Sequence, residues 1–223
     1  MKALGQPCRQ AGLGIAQVNA GHANLRESQF LGPGLQPAPQ VHTIDQHPCP
    51  LMYPGMVLTE QWPDEAATIA SAQRMAERLR GLPVAGDAIV HLHGDLGSGK
   101  TTWVRHLLMA LGVLGRIKSP TYAVVEPHQT GTGDATWPIW HFDFYRFNDP
   151  QEWEDAGFRD IFAGPGLKLM EWPDKVAGQL PPPDWVIALD AIDEDQRQVR
   201  ISTGTERGRM WLQVWIQGAD HAK

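Results

Sequence analysis

The spacing of apolar residues predicts two helices around a strand in the first half of the chain. After Asp64, apolar side chains recur every three to four positions as far as Leu79, which predicts an amphipathic helix that ends near Gly81. Asp64 is a suitable residue to cap its first turn. The β-branched run 88–93 predicts a strand, and the return of helical spacing over 103–111 predicts a second helix.

The rest of the chain is richer in predicted strands. A turn at 118–121 leads into a short strand, and further strands are predicted over 139–147, 167–170, 186–189, 199–202 and 211–216. Asp149, Pro150 and Glu152 form a helix-start pattern, so a third helix is expected at about 150–157. Alternating elements followed by a strand-rich end predict an α/β fold, with a mainly parallel sheet and antiparallel additions toward the C-terminus.

The first 55 residues differ from the remainder in composition. They are rich in Pro and Gly and keep neither a strand nor a helix period. We therefore predict a disordered extension or, equally, a mis-assigned start, since Met52 and Met56 lie just before the first organised segment. The folded domain is expected at 56–217, with a short tail at 218–223.

Composition excludes several classes of protein. The 223 residues, 42% of them hydrophobic, suffice for one core, and no apolar run reaches the length of a membrane span. With only Cys8 and Cys49, no disulfide framework is expected, so we predict a cytoplasmic protein that does not bind a membrane. The net charge of −6, without a dense basic run, argues against binding RNA unaided.

A glycine-rich motif supplies the first chemistry. Residues Gly94 to Thr101 match the pattern G-x-x-x-x-G-K-[ST], and the motif lies between a predicted strand and a predicted helix. In that setting, backbone N–H groups surround a phosphate, Lys100 reaches the β- and γ-phosphates, and Thr101 offers a hydroxyl to Mg²⁺. The motif predicts a P-loop NTPase fold of three layers.

Two acids are placed to assist that loop. Glu171 follows a buried run and is expected at the carboxyl end of its strand, where ligands bind in open α/β sheets. Alternation over 140–146 places Asp143 on a polar face, opposite the aromatic side chains. The alternatives are a structural acid paired with Arg146 for Asp143, and a strand-end cap for Glu171.

Ser119 and Thr121 flank Pro120 in the region where many phosphate-loop enzymes have a switch segment. A hydroxyl there could sense a γ-phosphate or its metal, and the alternative is an ordinary Ser-Pro turn. The spacing from His141 to Asn148 also fits a kinase catalytic loop. We discount that match because such kinases take their lysine from a separate strand.

Five motifs occur in one order and spacing, and together they resemble the TsaE family of bacterial tRNA threonylcarbamoyladenosine biosynthesis ATPases. They are residues 94–102, 118–127, 141–146, the pair 149–150 with 157–160, and 171–173. The resemblance runs from about Leu58 to Leu212, and residues 1–55 have no counterpart in it.

This resemblance implies an ATP- and Mg²⁺-dependent ATPase that works with the TsaB and TsaD proteins and reaches tRNA only through them. It implies that the backbone of residues Gly97, Ser98, Gly99, Lys100, Thr101 and Thr102 holds the phosphates, with Lys100 acting in catalysis. It further implies that Thr101 and Glu171 coordinate Mg²⁺ and that Asp143 supports hydrolysis. Thr59, with Glu60 and Thr68, matches the family's N-terminal nucleotide contact.

Two other classes of function stay open. A small-molecule kinase would use Asp143 as the base for a substrate hydroxyl. A GTP-dependent switch would need Asn-Lys-x-Asp to recognise guanine, and none of Asn19, Asn24 and Asn148 precedes a lysine. The sequence therefore favours the ATPase and retains the kinase as the main alternative.

Overall fold

One mixed β-sheet organises the protein. The computed structural model describes residues 40–43, 56–81, 87–130, 136–148 and 151–219. Their strands are β1 (Gln40–Thr43), β2 (Met56–Trp62), β3 (Ile89–His93), β4 (Val125–Gln129), β5 (Pro138–Asp143), β6 (Leu167–Glu171), β7 (Trp185–Ala191) and β8 (Arg197–Thr203). The helices are α1 (Glu65–Arg80), α2 (Lys100–Ala110), α3 (Gln151–Asp155), α4 (Arg159–Ala163) and α5 (Glu206–Ala219), and a short 3-10 helix spans Pro173–Val176.

The centre of the sheet is parallel and both of its sides are antiparallel. The strand order is β1-β2-β8-β7-β3-β6-β5-β4. The four central strands β7, β3, β6 and β5 run parallel, whereas the pairings β1–β2, β2–β8, β7–β8 and β4–β5 are antiparallel. The predicted combination of a parallel sheet with an antiparallel addition toward the C-terminus is confirmed by β7 and β8. The antiparallel pairings of β1, β2 and β4, at both edges of the sheet, differ from that prediction. The N-terminal strand β2 pairs with the distant β8, and this long-range pairing leaves no local signal in the sequence.

The predicted helix after Asp64 is confirmed as α1. The Asp64 side chain accepts a hydrogen bond from the Ala67 N–H at 2.8 Å, and Gly81 ends the helix. The helix packs against α2, and both contribute to the larger hydrophobic cluster together with Leu167 and Leu169 of β6. Because alternate residues of a strand point to opposite faces, α1 and α2 cover one face of the sheet.

The other face carries a second, aromatic cluster. Met170 of β6 belongs to it, in alternation with its neighbours in the first cluster. Phe142 lies at its centre, with ring centroids 5.2 to 5.5 Å from Phe144, Phe158 and Phe162. These contacts bring α4 and the segment after β5 onto the sheet, so helices cover both faces of the parallel strands.

The last predicted strand, 211–216, is wrong, because these residues belong to α5. Thr205 precedes the helix, and its hydroxyl accepts a hydrogen bond from the Gly208 N–H at 3.0 Å, as a helix cap does. Leu212 is buried, and the ring of Trp211 lies 5.4 Å from that of Trp185. An apolar run this short fits a strand or a helix, and here the capping residue and packing on β7 decide for the helix.

At both ends of the predicted domain, 56–217, regular secondary structure extends beyond the predicted boundary. Within the segment 1–55, residues Gln40–Thr43 form β1 and pair with β2, while the other residues of that segment lie outside the described ranges. Asp149 and Pro150, expected to start α3, also lie outside them. At the C-terminal end α5 includes residues 218 and 219 of the predicted tail.

No helix within the described ranges combines the length and the apolar character needed to cross a membrane.

Candidate active site

The glycine-rich loop Gly94–Thr101 connects β3 to α2, as the motif predicts. At Gly94 the backbone has φ 137°, and a Cβ atom there would lie 2.4 Å from the Leu189 carbonyl oxygen. At Gly99, the residue before α2, φ is 103°, a left-handed conformation that favours glycine. These two positions keep the loop close to β7 and direct the chain into the first turn of α2, where backbone N–H groups are free to bind an anion.

Lys100 is buried at the start of α2 and turns back over the loop. Its Nζ donates hydrogen bonds to the carbonyl oxygens of Gly94 at 2.6 Å and Asp95 at 2.9 Å. Burial lowers the pKa of Lys100 below its ordinary value, and the negative charges of Glu171, Asp143 and Asp95 oppose that shift. The lysine is thus a desolvated cation with neutral hydrogen-bond partners, whose nearest acids lie in the same site.

Thr101 connects the loop to β6. Its hydroxyl is within hydrogen-bond distance of both carboxylate oxygens of Glu171, 2.8 Å from Oε1 and 2.9 Å from Oε2. Oε1 also accepts a hydrogen bond from Nε2 of His141 at 3.0 Å. Glu171 is the last residue of β6 and is buried.

Asp143, the last residue of β5, holds the segment before β4. Oδ2 accepts hydrogen bonds from Ser119 and from Thr121, the latter at 2.7 Å, and Oδ1 accepts one from the Tyr145 N–H at 2.9 Å. The alternative pairing with Arg146 is not observed among the described contacts of Asp143. The Arg146 guanidinium instead lies 4.2 Å from the centre of the Tyr122 ring.

Strand pairing explains why the two acids meet. Asp143 and Glu171 are direct partners in the parallel register of β5 and β6, and both end their strands next to the glycine-rich loop. The carboxyl ends of parallel strands share one edge of a sheet, which is where ligands bind in open α/β folds. The two predicted acids therefore lie on the same edge as Lys100 and Thr101.

Two residues near these acids have a left-handed backbone without being glycine. Val124 has φ 68°, and its N–H donates to the Pro120 carbonyl at 2.6 Å. Trp172 has φ 58° directly after Glu171, and its ring centre lies 4.0 Å from Nζ of Lys100. Such conformations cost about 1–3 kcal/mol each and concentrate at functional sites.

Two cavities adjoin the glycine-rich loop. One, of about 380 Å³, lies between the loop and the turn after β7. The other, of about 260 Å³, lies between the loop, the start of α1 and that same turn, and its lining includes Trp62, Thr68, Thr102, Arg105 and Arg197. Thr59, the predicted nucleotide contact, faces Arg200 across the β2–β8 pairing and is not in the lining of either cavity.

Arg197 and Trp172 are neighbours of the loop to which sequence reasoning gave no role, although Trp172 lies in the motif 171–173. Arg197 donates from Nε to the Ser98 carbonyl at 2.9 Å, which ties the loop to β8. Its position beside the loop follows from the long-range parallel pairing of β3 with β7, which brings the β7–β8 hairpin next to the loop, so no local pattern could have indicated it. Trp172 had a usable signal, since it directly follows the predicted acid Glu171.

Three histidines of the strands and helices, His93, His106 and His128, do not contact Glu171 or Asp143 in the described structure. His93 pairs with Asp174 at 3.1 Å and His106 with Glu65 at 3.0 Å, while His128 lies on β4. Within the described residues there is no group of three or more His, Cys, Asp or Glu side chains arranged to hold a metal by themselves.

The donors near Thr101 nevertheless suit a hard divalent cation. The hydroxyl of Thr101 and the carboxylate of Glu171 are oxygen ligands of the kind that Mg²⁺ uses, and Mg²⁺ binds through one or two carboxylates together with phosphate oxygens. The residues present therefore fit a magnesium ion that is shared with a bound phosphate.

These features place the chain among mixed α/β proteins in which a glycine-rich loop joins a central parallel strand to a helix. The family model described as "Threonylcarbamoyl adenosine biosynthesis protein TsaE" matches residues 62–199. The tRNA threonylcarbamoyladenosine biosynthesis protein TsaE of Haemophilus influenzae is 39% identical over 152 residues, which cover 68% of this chain and 93% of that protein. The protein of the same name from Bacillus subtilis is 33% identical over 125 residues, 56% of this chain and 75% of the relative.

The fold is also found among solved structures. The crystal structure of YdiB from Bacillus subtilis aligns with a TM-score of 0.58 and 22% identity, and the alignment covers 75% of this chain and 99% of that one. The chain belongs to the TsaE family, as its five motifs predicted, and the family's name places it in the biosynthesis of tRNA threonylcarbamoyladenosine.

Proposed function

We propose that this protein is a Mg²⁺-dependent ATPase of the cytoplasm, with a P-loop NTPase fold, that is required for threonylcarbamoyladenosine modification of tRNA. The observation that carries the proposal is the hydrogen-bonded contact between Thr101 of the glycine-rich loop and Glu171 at the end of the neighbouring strand. It brings the two oxygen donors for a nucleotide-bound cation within hydrogen-bond distance of each other, beside the lysine that would contact the phosphates.

Each residue then has a separate role. The backbone of residues 97–102 and Lys100 bind the phosphates, and Thr101 with Glu171 holds Mg²⁺. The ion, when bound, neutralises charge on the β- and γ-phosphates. Asp143 supports hydrolysis by orienting the attacking water, and its contact with Ser119 and Thr121 links that role to the segment before β4.

The cavity of about 260 Å³ is our candidate for the nucleoside. It continues directly from the loop residues Gly97, Ser98 and Gly99, so a nucleotide whose phosphates follow the loop would place its base there. Trp62 and Arg197 provide apolar and cationic walls for a planar base. Of the residues expected to form the N-terminal nucleotide contact, this assignment selects Thr68, which lines the cavity, and leaves out Thr59.

We propose the TsaB and TsaD proteins as partners, which would bring the tRNA. The net charge of −6 disfavours direct binding of RNA, so recruitment by partners is the simpler arrangement. Ser119 and Thr121 form the element through which partners would act, because their hydroxyls contact each other at 2.6 Å and share one oxygen of Asp143. A partner that prefers one arrangement of this segment would change the rate of hydrolysis.

Substitutions at the two charged residues test the proposal. Lys100→Ala should weaken ATP binding by about 1.5–3 kcal/mol, because a charge-assisted contact is lost. Asp143→Asn should leave binding within about threefold and lower turnover, as expected when a group acts mainly in the transition state. Calorimetry and steady-state ATPase assays measure both, and equal losses of affinity in the two variants would assign Asp143 to the phosphate or metal site instead.

Partner dependence and the kinase alternative need a separate assay. ATPase rates of the protein alone, with the two partners, and with partners plus tRNA should rise in that order, and Thr121→Ala should reduce the stimulation. An isolated protein that already reaches the stimulated rate, with no effect of Thr121→Ala, would contradict the switch. Phosphate transfer to a small-molecule hydroxyl in place of water would support the kinase.

A further inference from the structure

His141 is fully buried in β5, and only one of its ring nitrogens has a hydrogen-bond partner. Nε2 contacts Oε1 of Glu171 at 3.0 Å, whereas Nδ1 is buried without a partner among the described residues. An unpaired polar atom in the interior costs about 1–3 kcal/mol. An apolar side chain would avoid that cost, so packing alone does not explain a histidine at this position.

The strand register fixes the contact. His141 and Asp143 lie two residues apart on the same face of β5, and Asp143 faces Glu171 directly on β6. His141 therefore reaches the carboxylate diagonally, from the side away from the glycine-rich loop. Its ring is held by the strand, so the donor has little freedom to move.

Thr101 and His141 both donate to Glu171, but only Thr101 is also expected to bind the cation. If Thr101 gives a lone pair to a cation, its single O–H can still donate to only one carboxylate oxygen of Glu171. His141 has no such second task and stays bound to Oε1, which leaves Oε2 free for the ion.

We propose that His141 is a positioning residue that holds the Glu171 carboxylate in the orientation needed to bind the nucleotide-associated divalent cation. The inference rests on the proposed function, in which Glu171 is a metal ligand. Hydrogen bonds from the surroundings to a ligating carboxylate fix its orientation, and their loss typically lowers metal affinity about 10–100-fold.

The test measures Mn²⁺, used in place of Mg²⁺, binding to the ADP complex by electron paramagnetic resonance. His141→Leu should weaken Mn²⁺ binding about tenfold, while ADP affinity in EDTA stays within about twofold. His141→Gln should restore Mn²⁺ binding to within about threefold of wild type, because its amide nitrogen can reach Oε1 as Nε2 does. A His141→Leu protein with wild-type Mn²⁺ affinity, or a His141→Gln protein as weak as His141→Leu, would overturn the proposal.

Two further variants keep the result interpretable. His128→Gln is the matched control, because His128 on the neighbouring strand β4 also has a buried, unpaired ring nitrogen and does not contact Glu171. It should not change Mn²⁺ affinity. If His141→Leu does not fold, His141→Asn replaces it, since its shorter amide should not reach Glu171, and equal Mn²⁺ affinities of His141→Asn and His141→Gln would overturn the proposal. A wild-type protein whose ADP complex binds no Mn²⁺ would instead refute the proposed ATPase site.

Discussion

The two ends of the parallel strands both bury charged side chains, and they pair those charges differently. At the amino ends lies a group that we call the amino-edge cluster, formed by Asp87, Lys168, Asp184 and Arg207. Asp184 accepts hydrogen bonds from Arg207 at 2.5 and 3.0 Å, from the Thr205 hydroxyl at 2.6 Å and from the Ile89 N–H at 3.0 Å. The hydrogen bonds with Asp184 raise the pKa of Arg207 above its ordinary value.

Lys168 completes the amino-edge cluster. Its Nζ lies 3.5 Å from Asp87 and donates to the Gly164 carbonyl, and burial lowers its pKa while Asp87 opposes the shift. Every member of the cluster therefore has an oppositely charged partner within 4 Å. Helix α5 packs closely at the same place, since a Cβ atom on Gly208 would lie 2.0 Å from the Asp184 carbonyl oxygen.

At the carboxyl ends of the parallel strands, the buried acids are not paired with lysine or arginine among the described contacts. Among the described contacts, Asp143 and Glu171 accept from hydroxyl, backbone N–H and imidazole groups, and neither forms an ion pair with a lysine or arginine. Lys100 donates to carbonyl oxygens. Paired charges at one edge serve the fold, and unmatched charges at the other are the groups through which a charged ligand would be recognised.

The largest expected effect lies at the amino-edge cluster. Asp184→Ala leaves the Ile89 N–H unsatisfied and removes the main partner of Arg207, which is 43% exposed and keeps its contact with Asp87, so we expect a loss of about 3 kcal/mol in the free energy of unfolding. Urea denaturation measures it. The control is Glu154→Ala, which removes an exposed ion pair with Arg159 and should cost no more than about 1 kcal/mol. Similar losses in both variants would show that the cluster is not structural.

His91 lies in the middle of β3, between the two edges, and should make stability depend on pH. Burial, with a smaller effect of His93, lowers its pKa to about 4, and Asp174 opposes the shift. The folded protein therefore keeps His91 neutral while the unfolded chain takes up a proton below about pH 6.5. Its contribution is complete above that pH and is lost as the pH falls toward 4, by up to about 3 kcal/mol. Unfolding of wild type and His91→Gln from pH 7.5 to 4.5 measures this, and identical pH dependence in both would contradict it.

The carboxyl edge should respond differently from the amino edge. Glu171→Gln removes a buried charge that has no lysine or arginine partner among the described residues, so stability without ligand should change by less than about 1 kcal/mol or rise. The same variant should lose the Mg²⁺ dependence of nucleotide affinity, measured by calorimetry with and without EDTA. A loss of stability as large as that of Asp184→Ala would remove the contrast between the two edges.

The smallest effect is expected from truncation. Deleting residues 1–39, whose composition predicts little burial, should leave unfolding and ATP affinity unchanged. Deleting 1–55 also removes β1, a four-residue edge strand, and should cost at most about 1 kcal/mol. Melting curves of the two truncated proteins separate these contributions, and a large loss on removing 1–39 alone would show that this segment stabilises the domain.

The sequence predicts those parts of the candidate site whose residues are close together in the chain. The turn from β3 into α2 and the acid at the end of β6 follow from adjacent residues, so Gly94, Lys100, Thr101 and Glu171 were identified correctly as neighbours. Arg197 could not be found, because the β7–β8 hairpin that carries it lies beside Ser98 only through the long-range pairing of β3 with β7.

The fold shows the same limit. Helix α1 was predicted from its cap and its period, and α5 was missed because the apolar run after Trp211 fits two periods until the contact with Trp185 selects one. The mixed strand order depends on the pairing of β2 with β8. The sequence of neither strand indicates which strand it pairs with.

That pairing also bears on how the chain is made. Val57 lies opposite Ser202, so the backbone groups of β2 that face β8 find their partners only after about 145 further residues have been synthesised. Closing so long a loop is slow, and until then the edge of β2 is open to other chains. During translation on the ribosome, β2 can pair with β8 only after the chain has emerged as far as residue 202, and we expect refolding in vitro to be slow for the same reason.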